Sequence, residues 1–450
     1  MGCSIQKHHK ILGSTIEASK VHKVTTADLS IKPISFILKN EYDFTLVYRL
    51  GQPISQSHTA EVRICFLRET NEKRAVKIYK KDISQSKRES VLKEISILKS
   101  LDHPNIIRIY EYFESLSHIH IVMEYCSGGE FMTDIIKKHA LNELQVKKFI
   151  RQILSATNYM HESGFVHRNI KPDNILLEDE TEYAEIKLSD FGTAAHYCQG
   201  MEERAGTLQF MSPEMIQGNY NEKCDLWSIG VITYLLFTGK LPFVCEENEI
   251  EQKILQGNVD YSGEVWDSLS EHAKYFTQVL LCREDSRLST KEALNHPWLN
   301  EIQTVSEPKC CTKLLSNLTL FHYSSKLKQA LATYLITQCV PNSELRELKE
   351  VFNYLDKDGD GKLSREEIMQ YYLQDNGIEE AELLVQGIID TLSCEKNEFI
   401  SYSEFLAATF DQTKLLSLNN LKKAFEMFDK EGSGSNSCQE FKSIIDEINL

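Results

Sequence analysis

The stretch FVHRNIKPDNILL, Phe165–Leu177, decides the fold, and LSDFG, Leu188–Gly192, follows it after a short gap. Asn174 in the first stretch carries a side-chain amide, and Asp190 in the second carries a carboxylate. Asn169 lies in the middle of the first stretch. An amide oxygen is not basic at neutral pH, so Asn169 cannot serve as a general base.

Together the two stretches resemble the catalytic loop and the magnesium-binding loop of the protein kinases, H-R-D-x-K-x-x-N followed by D-F-G. The resemblance implies that Lys171, Asn174 and Asp190 serve phosphoryl transfer. It also implies a proton-accepting aspartate at the position of Asn169. We therefore expect a kinase fold in which the base position is degenerate.

The resemblance extends over residues 42–299 and implies an ATP site. Ala75–Ile78 matches the V-A-I-K strand, so Lys77 is expected on the α- and β-phosphates, paired with Glu94 on the next helix. The segment IVMEYC predicts a buried strand that runs into a hinge. The remaining predicted nucleotide contacts are Glu124 and Cys126 on the hinge, and Glu130, which faces ribose or a basic substrate residue or is simply an exposed glutamate.

The loop over the phosphates is predicted to be degraded. Kinases carry G-x-G-x-x-G here, so that bare backbone approaches the phosphates closely. Counted back from Val62, the three glycine positions are Ser55, Ser57 and Ala60; Gly51 aligns only with an insertion of about four residues.

Further residues fix the class of kinase that the sequence resembles. Lys171 and Thr207 indicate the serine/threonine class. Glu214 and Arg287 are expected to pair across the large lobe, and Glu202 and Glu203 are candidate partners of Arg168 in the activation segment.

The C-terminal region contains three EF-hand repeats, spaced by 37 and then 36 residues. The first loop fits D-x-D-x-D-G-x-L-x-x-x-E completely, and its carboxylates and turn glycine predict Ca²⁺ binding. Its candidate ligands are Asp356, Asp358, Asp360, Lys362 through its carbonyl, Ser364 and Glu367. The second loop, from Ser393, has Glu398 where glycine belongs and is expected to bind poorly. The third is predicted to be weaker than the first, with ligands Asp429, Glu431, Ser433 and Glu440.

Between the two domains, residues 300–342 are predicted to contain one amphipathic helix. Leu327, Leu331, Tyr334 and Leu335 follow helical spacing, and lysines give the segment a basic character. Such a helix suits a regulatory element that moves between two grooves, or it is a plain linker.

The N-terminal segment, residues 1–41, is predicted to be basic and lipidated. Gly2 after Met1 is a candidate for myristoylation and Cys3 for palmitoylation, and two lipid chains anchor a protein stably. Gln6 departs from the usual Ser/Thr of the myristoylation pattern. A disordered basic tail is the alternative.

Composition sets the remaining limits. The 450 residues carry a net charge of −16, with −12 in residues 343–450, which argues against nucleic acid as the main partner. Twelve cysteines without a C-x-x-C pair predict free thiols in a reducing compartment. We therefore expect the protein in the cytoplasm, where the N-terminal lipids would attach it to a membrane surface.

A kinase domain, a basic junction and EF-hands in residues 343–450 together resemble the calcium-dependent protein kinases. The resemblance predicts an α+β two-lobed kinase fold followed by an all-α EF-hand domain, with ATP, Mg²⁺ and Ca²⁺ as ligands and a protein substrate or partner that the sequence does not identify. In that family the junction blocks the kinase until calcium reorganises the EF-hand lobe.

Two functions stay open: a nucleotide-binding switch with weak or lost phosphotransfer, and an active serine/threonine kinase. A calcium buffer without a nucleotide site is disfavoured, because Lys77, Glu94, Asn174 and Asp190 are all present.

Overall fold

The computed structural model describes residues 39–57, 60–81, 85–132, 141–181, 184–198, 200–244, 246–300, 307–320, 326–392 and 399–428. All of them belong to one compact unit, residues 31–450. The predicted α+β two-lobed fold followed by a helical EF-hand region is confirmed.

The small lobe is built on one six-stranded sheet in the order β1-β5-β6-β4-β3-β2, in which β1 runs parallel to β5 and the other pairs are antiparallel. Its strands are Lys39–Asn40 (β1), Tyr48–Gln56 (β2), Ala60–Leu67 (β3), Lys73–Lys80 (β4), Ile109–Glu114 (β5) and His118–Met123 (β6). The central strand β6, HIHIVM, has three β-branched residues among six, and β4 has Val76 and Ile78 at its centre, which suits a sheet covered on both sides. Two helices accompany the sheet, Phe44–Val47 (α1) and Gln85–Ser100 (α2).

The large lobe is helical, and its core surrounds Glu143–Glu162 (α3) and Lys223–Thr238 (α5). Helix α3 begins at a capping box, in which the Asn142 side chain accepts from the Gln145 N–H and the Gln145 side chain accepts from the Asn142 N–H. The other helices here are Pro213–Gln217 (α4), Glu247–Gln256 (α6), Glu264–Ser268 (α7), Glu271–Leu280 (α8), Thr290–Leu294 (α9) and Pro297–Asn300 (α10).

Two small sheets lie in the large lobe and hold the loops that concern function. One has the order β10-β9-β7, from Ile186–Leu188 (β10), Ile175–Leu177 (β9) and Gly129–Glu130 (β7). The other pairs Ala195–His196 (β11) with Phe165–Val166 (β8). The segment between β8 and β9 and the segment after β10 are therefore held next to each other.

The EF-hand region forms a core of its own. Its helices are Asn342–Leu355 (α13), Arg365–Tyr372 (α14), Ile378–Leu392 (α15), Tyr402–Thr409 (α16), Gln412–Leu415 (α17) and Leu418–Phe428 (α18). The first two hands are joined by short antiparallel strands, Lys362–Ser364 (β12) and Phe399–Ser401 (β13), with Leu363 opposite Ile400.

The junction differs from the prediction of one amphipathic helix. It holds two helices, Cys311–Leu320 (α11) and Lys326–Gln338 (α12), and both contribute to the EF-hand core. Helix α12 buries Ala332, Leu335 and Ile336 together with Thr333 and Thr337, so more than one of its faces is covered. The apolar spacing alone could not show this, because Ala and Thr carry little periodic signal.

Among the described residues, none of the helices is both long and apolar enough to cross a membrane.

Candidate active site and calcium loop

Lys77, on the central strand β4, joins the two lobes. Its Nζ donates to Oε1 of Glu94 at 2.8 Å and to Oδ1 of Asp190 at 2.7 Å. Glu94 lies on α2 with a side chain that is only 2% exposed. The predicted pair therefore forms, and the aspartate of the D-F-G segment joins it.

The charges at this centre reinforce one another. Burial would lower the pKa of Lys77, but the Glu94 and Asp190 carboxylates and Tyr79 raise it well above its ordinary value. Desolvation would likewise raise the pKa of Asp190, yet the Lys77 ammonium holds it below its ordinary value. Both groups are charged at neutral pH, as a site for a phosphate and a cation requires.

Asn169 is held at the base position by two neighbours. Its side-chain oxygen accepts from Thr207 Oγ1 at 3.2 Å, and its backbone carbonyl accepts from the Asn174 side chain at 2.9 Å. Lys171 lies on the same loop, 3.8 Å from Asp173. Asn169 and Asn174 are thus hydrogen bonded within one loop that also carries Lys171, with an amide in place of a carboxylate at position 169.

Asp225, buried at the start of α5, shapes this loop. Its carboxylate accepts from the backbone N–H groups of His167 at 2.9 Å and Arg168 at 2.8 Å. Arg168 has a positive φ of 67° and donates to Glu203 at 3.0 Å. The activation segment is therefore tied to the catalytic loop by an ion pair with Glu203.

Glu214 and Arg287 pair across the large lobe, as the resemblance implies. Both side chains are buried, and Arg287 makes two hydrogen bonds to the carboxylate, one through its Nη2 at 3.2 Å. Arg287 also donates to the carbonyls of Lys223 and Cys282. This pair supports the fold of the lobe.

The hinge residues follow β6. Glu124 and Cys126 are buried, whereas Glu130 on β7 is exposed. The Glu124 side chain is fully engaged: Oε1 accepts from the Arg108 N–H at 2.6 Å and pairs with Lys187 at 3.2 Å, and Oε2 accepts from Asn342 at 2.6 Å.

The glycine-poor loop forms the end of the β2–β3 hairpin. Ser55 lies in β2 opposite Val62, and Ser57 lies at the turn, where its N–H donates to the carbonyl of Ala60 at 2.9 Å. Gly51 lies further back, in β2, where a Cβ would contact Phe66 and Ile64 at 3.0 to 3.2 Å. The glycine is thus needed for strand packing at a point away from the turn.

The first EF-hand loop brings three of its four predicted acidic ligands together, whereas the Asp360 carboxylate accepts from the Lys362 N–H at 2.8 Å. Oxygens of Asp356, Asp358 and Glu367 lie within 4.8 Å of one another. Burial, followed by repulsion from Glu367 and Asp360, raises the pKa of Asp356 well above its ordinary value. A cluster of carboxylates that resists ionisation in this way fits a divalent cation with oxygen ligands, and Lys362 and Ser364 lie within the same loop.

The same loop packs closely on the kinase lobes. Arg151 on α3 donates to the Lys357 carbonyl at 2.6 Å, and Lys362 pairs with Glu162 at 3.1 Å. Gly361 has a φ of 81°, and a Cβ there would overlap the ring of His103. The glycine therefore allows both the turn of the loop and its contact with the kinase lobes.

Two sets of predicted site residues lie outside the described residues. They are the ligands of the third hand, Asp429, Glu431, Ser433 and Glu440, and the lipidation candidates Gly2 and Cys3.

The sequence reasoning missed several contacts. Tyr79 donates to Glu94 Oε2 at 2.7 Å, and its signal was its position two residues after Lys77 on the same face of β4. Asn342 was placed at the end of the junction, and nothing in its local pattern indicates that it reaches the hinge.

Comparisons with known proteins agree with this geometry. Residues 48–299 match the protein kinase domain family, and residues 345–410 match the EF-hand domain pair family. The chain is 32% identical over 463 residues to calcium-dependent protein kinase 4 of Plasmodium falciparum, covering 98% of this chain and 87% of that protein. It is 32% identical over 422 residues to calcium-dependent protein kinase 9 of Arabidopsis thaliana, covering 92% and 78%. This chain carries both domains, and the two relatives named above match more than nine tenths of its length. The chain therefore belongs to the calcium-dependent protein kinase family.

Proposed function

We propose that this protein is a calcium-regulated, nucleotide-binding kinase homologue in which phosphotransfer is weak or lost, and which signals through its conformation. The observation that carries the proposal is Asn169, which stands at the base position of a site whose other groups are assembled. Mg²⁺-ATP and Ca²⁺ are the ligands that the two domains imply.

The residues around Lys77 fit Mg²⁺-ATP. Lys77 would hold the α- and β-phosphates, and Asn174 and Asp190 would hold Mg²⁺, which neutralises phosphate charge when bound. Lys77 is held between the carboxylates of Glu94 and Asp190. The serines and alanine of the hairpin, in place of glycines, reduce affinity, so we expect binding to be weak.

The loss of the base limits the chemistry. The Asn169 amide keeps its hydrogen-bond partners, but it does not take the proton of a substrate hydroxyl. General-base assistance contributes about 10²–10⁴-fold to a rate. We therefore expect turnover at the edge of detection.

An active serine/threonine kinase is the second candidate, and two contacts favour it. The ion pair between Lys77 and Glu94 is formed, and Glu203 supplies a carboxylate that pairs with Arg168. Positioning and metal ions do most of the work of phosphoryl transfer, so a well-assembled site tolerates a weak base better than most enzymes would.

Location completes the proposal. Myristate on Gly2 and palmitate on Cys3, with the basic N-terminal segment, would hold the cytoplasmic protein on a membrane surface. There, a protein substrate or partner would respond to calcium binding by this protein.

One experiment separates the two candidates. The full chain is assayed for phosphotransfer to a basic serine peptide with calcium and with EGTA, and Mg²⁺-ATP binding is measured on the same sample. Binding with turnover far below the usual ~1–100 s⁻¹ of kinases supports the switch. Turnover within that range refutes it in favour of an active kinase, and absence of binding refutes both.

A further inference from the structure

Helix α13 presents one polar stripe to the kinase lobes. The stripe consists of Asn342, Arg346, Lys349 and Asn353, at i, i+4, i+7 and i+11, which is one face of a helix. Its partners along the kinase lobes are, in the same order, Glu124, Asp179, Glu178 with Glu185, and Glu185.

The neighbouring face of α13 belongs to the EF-hand core. Leu345, Leu348 and Phe352 are buried there. The helix ends at Leu355, and its C-cap, Asp356, is the first predicted ligand of the calcium loop. A helix of 14 residues spans about 20 Å, so α13 is a rigid connection between that loop and its own N-terminal end.

The N-terminal end of α13 touches the hinge. Asn342 Nδ2 donates to Glu124 Oε2 at 2.6 Å, and Glu124 is only 2% exposed. The remaining Glu124 oxygen is held by the Arg108 N–H and by Lys187. The Glu124 backbone N–H donates to the Arg108 carbonyl at 2.9 Å. The hinge at Glu124 is therefore held both by its backbone N–H and by its side chain, and Asn342 contacts that side chain.

We propose that Asn342 is a positioning residue that couples calcium binding to nucleotide binding through Glu124. The inference rests on the proposed nucleotide binding and adds a residue and a direction to it. Calcium in the first loop determines the orientation of α13, and α13 in turn positions the Glu124 side chain at the hinge. Nucleotide binding to the hinge in turn favours the docked helix, because coupling between two sites is reciprocal.

Asn353 offers a matched control within the same stripe. Its side chain also donates to a half-buried glutamate of the kinase lobes, Glu185, at 2.9 Å. It lies 11 residues from Asn342, at the calcium end of the helix, and its partner is not on the hinge. Asn353→Ala therefore removes an interface hydrogen bond of the same kind and leaves the Glu124 contact in place.

The test is a set of calorimetric titrations on the full chain. Mg²⁺-ADP affinity is measured in saturating calcium and in EGTA, and calcium affinity is measured with and without saturating Mg²⁺-ADP. In the wild type we expect calcium to tighten nucleotide binding by about fivefold or more, and nucleotide to tighten calcium binding by the same factor. Asn342→Ala should reduce both factors below about twofold, and Asn353→Ala should retain most of the coupling.

Asn342→Asp provides a second variant of almost the same shape, which places a carboxylate against Glu124 and should abolish the coupling equally. Equal losses in Asn342→Ala and Asn353→Ala would show that docking in general, and not the hinge contact, carries the coupling, and would overturn the proposal. Wild type that binds both ligands independently overturns it as well. Wild type that binds no nucleotide overturns the proposed function itself.

Discussion

Asn169 accepts a hydrogen bond from Thr207 on its side chain and one from Asn174 on its backbone. An aspartate has the same shape, so it would meet the same donors with a carboxylate oxygen that takes a proton. The loop around the position is fixed independently by Asp225. The chemistry at this residue can therefore be changed without changing the fold.

We predict that Asn169→Asp raises the calcium-stimulated phosphotransfer rate by at least about tenfold, toward the low end of what a general base contributes. The measurement is transfer to a basic serine peptide. As a control, Asn169→Asp combined with Asp190→Asn should show no gain, because the magnesium ligand is lost. An unchanged rate for the single variant would place the block at the phosphate hairpin or the regulatory segment.

Glu367 and Glu404 occupy the last positions of the first two calcium loops. Glu367→Gln removes the carboxylate that can bind Ca²⁺ with both oxygens, so we expect most of the calcium-induced change in intrinsic fluorescence or protease sensitivity to disappear. Glu404→Gln, in the loop that lacks an acid at its first position, should have little effect. Equal losses from the two variants would contradict the ranking of the loops.

At the scale of the element, the first calcium loop is a cluster of acids that must ionise. Burial, followed by the Asp358 carboxylate, raises the pKa of Asp360 to about 6. A raised carboxyl pKa means that the ionised form is penalised, so the calcium-free loop loses stability as the pH rises from the ordinary 3.8 through about 6. Calcium, which binds the ionised form, removes that penalty.

Calcium affinity should therefore depend on pH. It should weaken as the pH falls through about 6, by at least about tenfold per pH unit well below that value, because Asp360 and Asp356, whose pKa values are both raised, must release their protons before the ion binds. Titrations of the full chain at pH 7.5, 6.0 and 5.0 measure this dependence. The Glu404→Gln variant should follow the same curve, and an affinity that is constant across the three pH values would contradict the prediction.

Elements with a strong local signal were predicted, and contacts between the EF-hand region and the kinase lobes were not. Lys77, Glu94 and Asp190 come together as expected, because each lies in a stretch whose pattern fixes its own strand, helix or loop. The second junction helix was missed because α11 has no charge pattern that separates it from a linker. The stripe on α13 was also missed, because Lys349 and Asn342 look like ordinary surface residues until their partners are known.

At the scale of the whole molecule, Lys349 is the buried link between the two domains. It pairs with Glu178 at 2.8 Å and with Glu185 at 2.5 Å. Burial would raise the pKa of Glu178, but Lys349 and Lys187 lower it to about 2. The pairing is therefore fully charged across the physiological range.

We predict that Lys349→Met lowers the free energy of unfolding by up to about 3 kcal/mol, because two half-buried carboxylates lose the buried ammonium that pairs with them. We also expect the EF-hand region to unfold before the kinase lobes. Chemical denaturation followed by domain-specific proteolysis measures both effects. Arg346→Met, which removes an exposed pair from the same stripe, should cost no more than about 1 kcal/mol. Similar losses from the two variants would contradict the assignment.

Attachment to a membrane is a property of the whole chain in the cell. Gly2→Ala should move the protein from the membrane fraction to the supernatant, because neither lipid would then be stably added. Fractionation of cells that express each form measures this. A Lys7→Ala variant keeps the acceptor glycine and should remain largely in the membrane fraction. Identical partition of wild type and Gly2→Ala would contradict the anchor.

Gly361 has a consequence for the engineering of the first hand. Its bare sixth position lets the calcium loop rest on the His103 ring, which a Cβ at Gly361 would overlap. In the sequence of the second hand, the corresponding position is Glu398. The missing methyl group therefore serves the docking of the first loop as well as its calcium geometry. A stronger calcium loop grafted into the first hand with a side chain at its sixth position would bind the ion and lose its orientation.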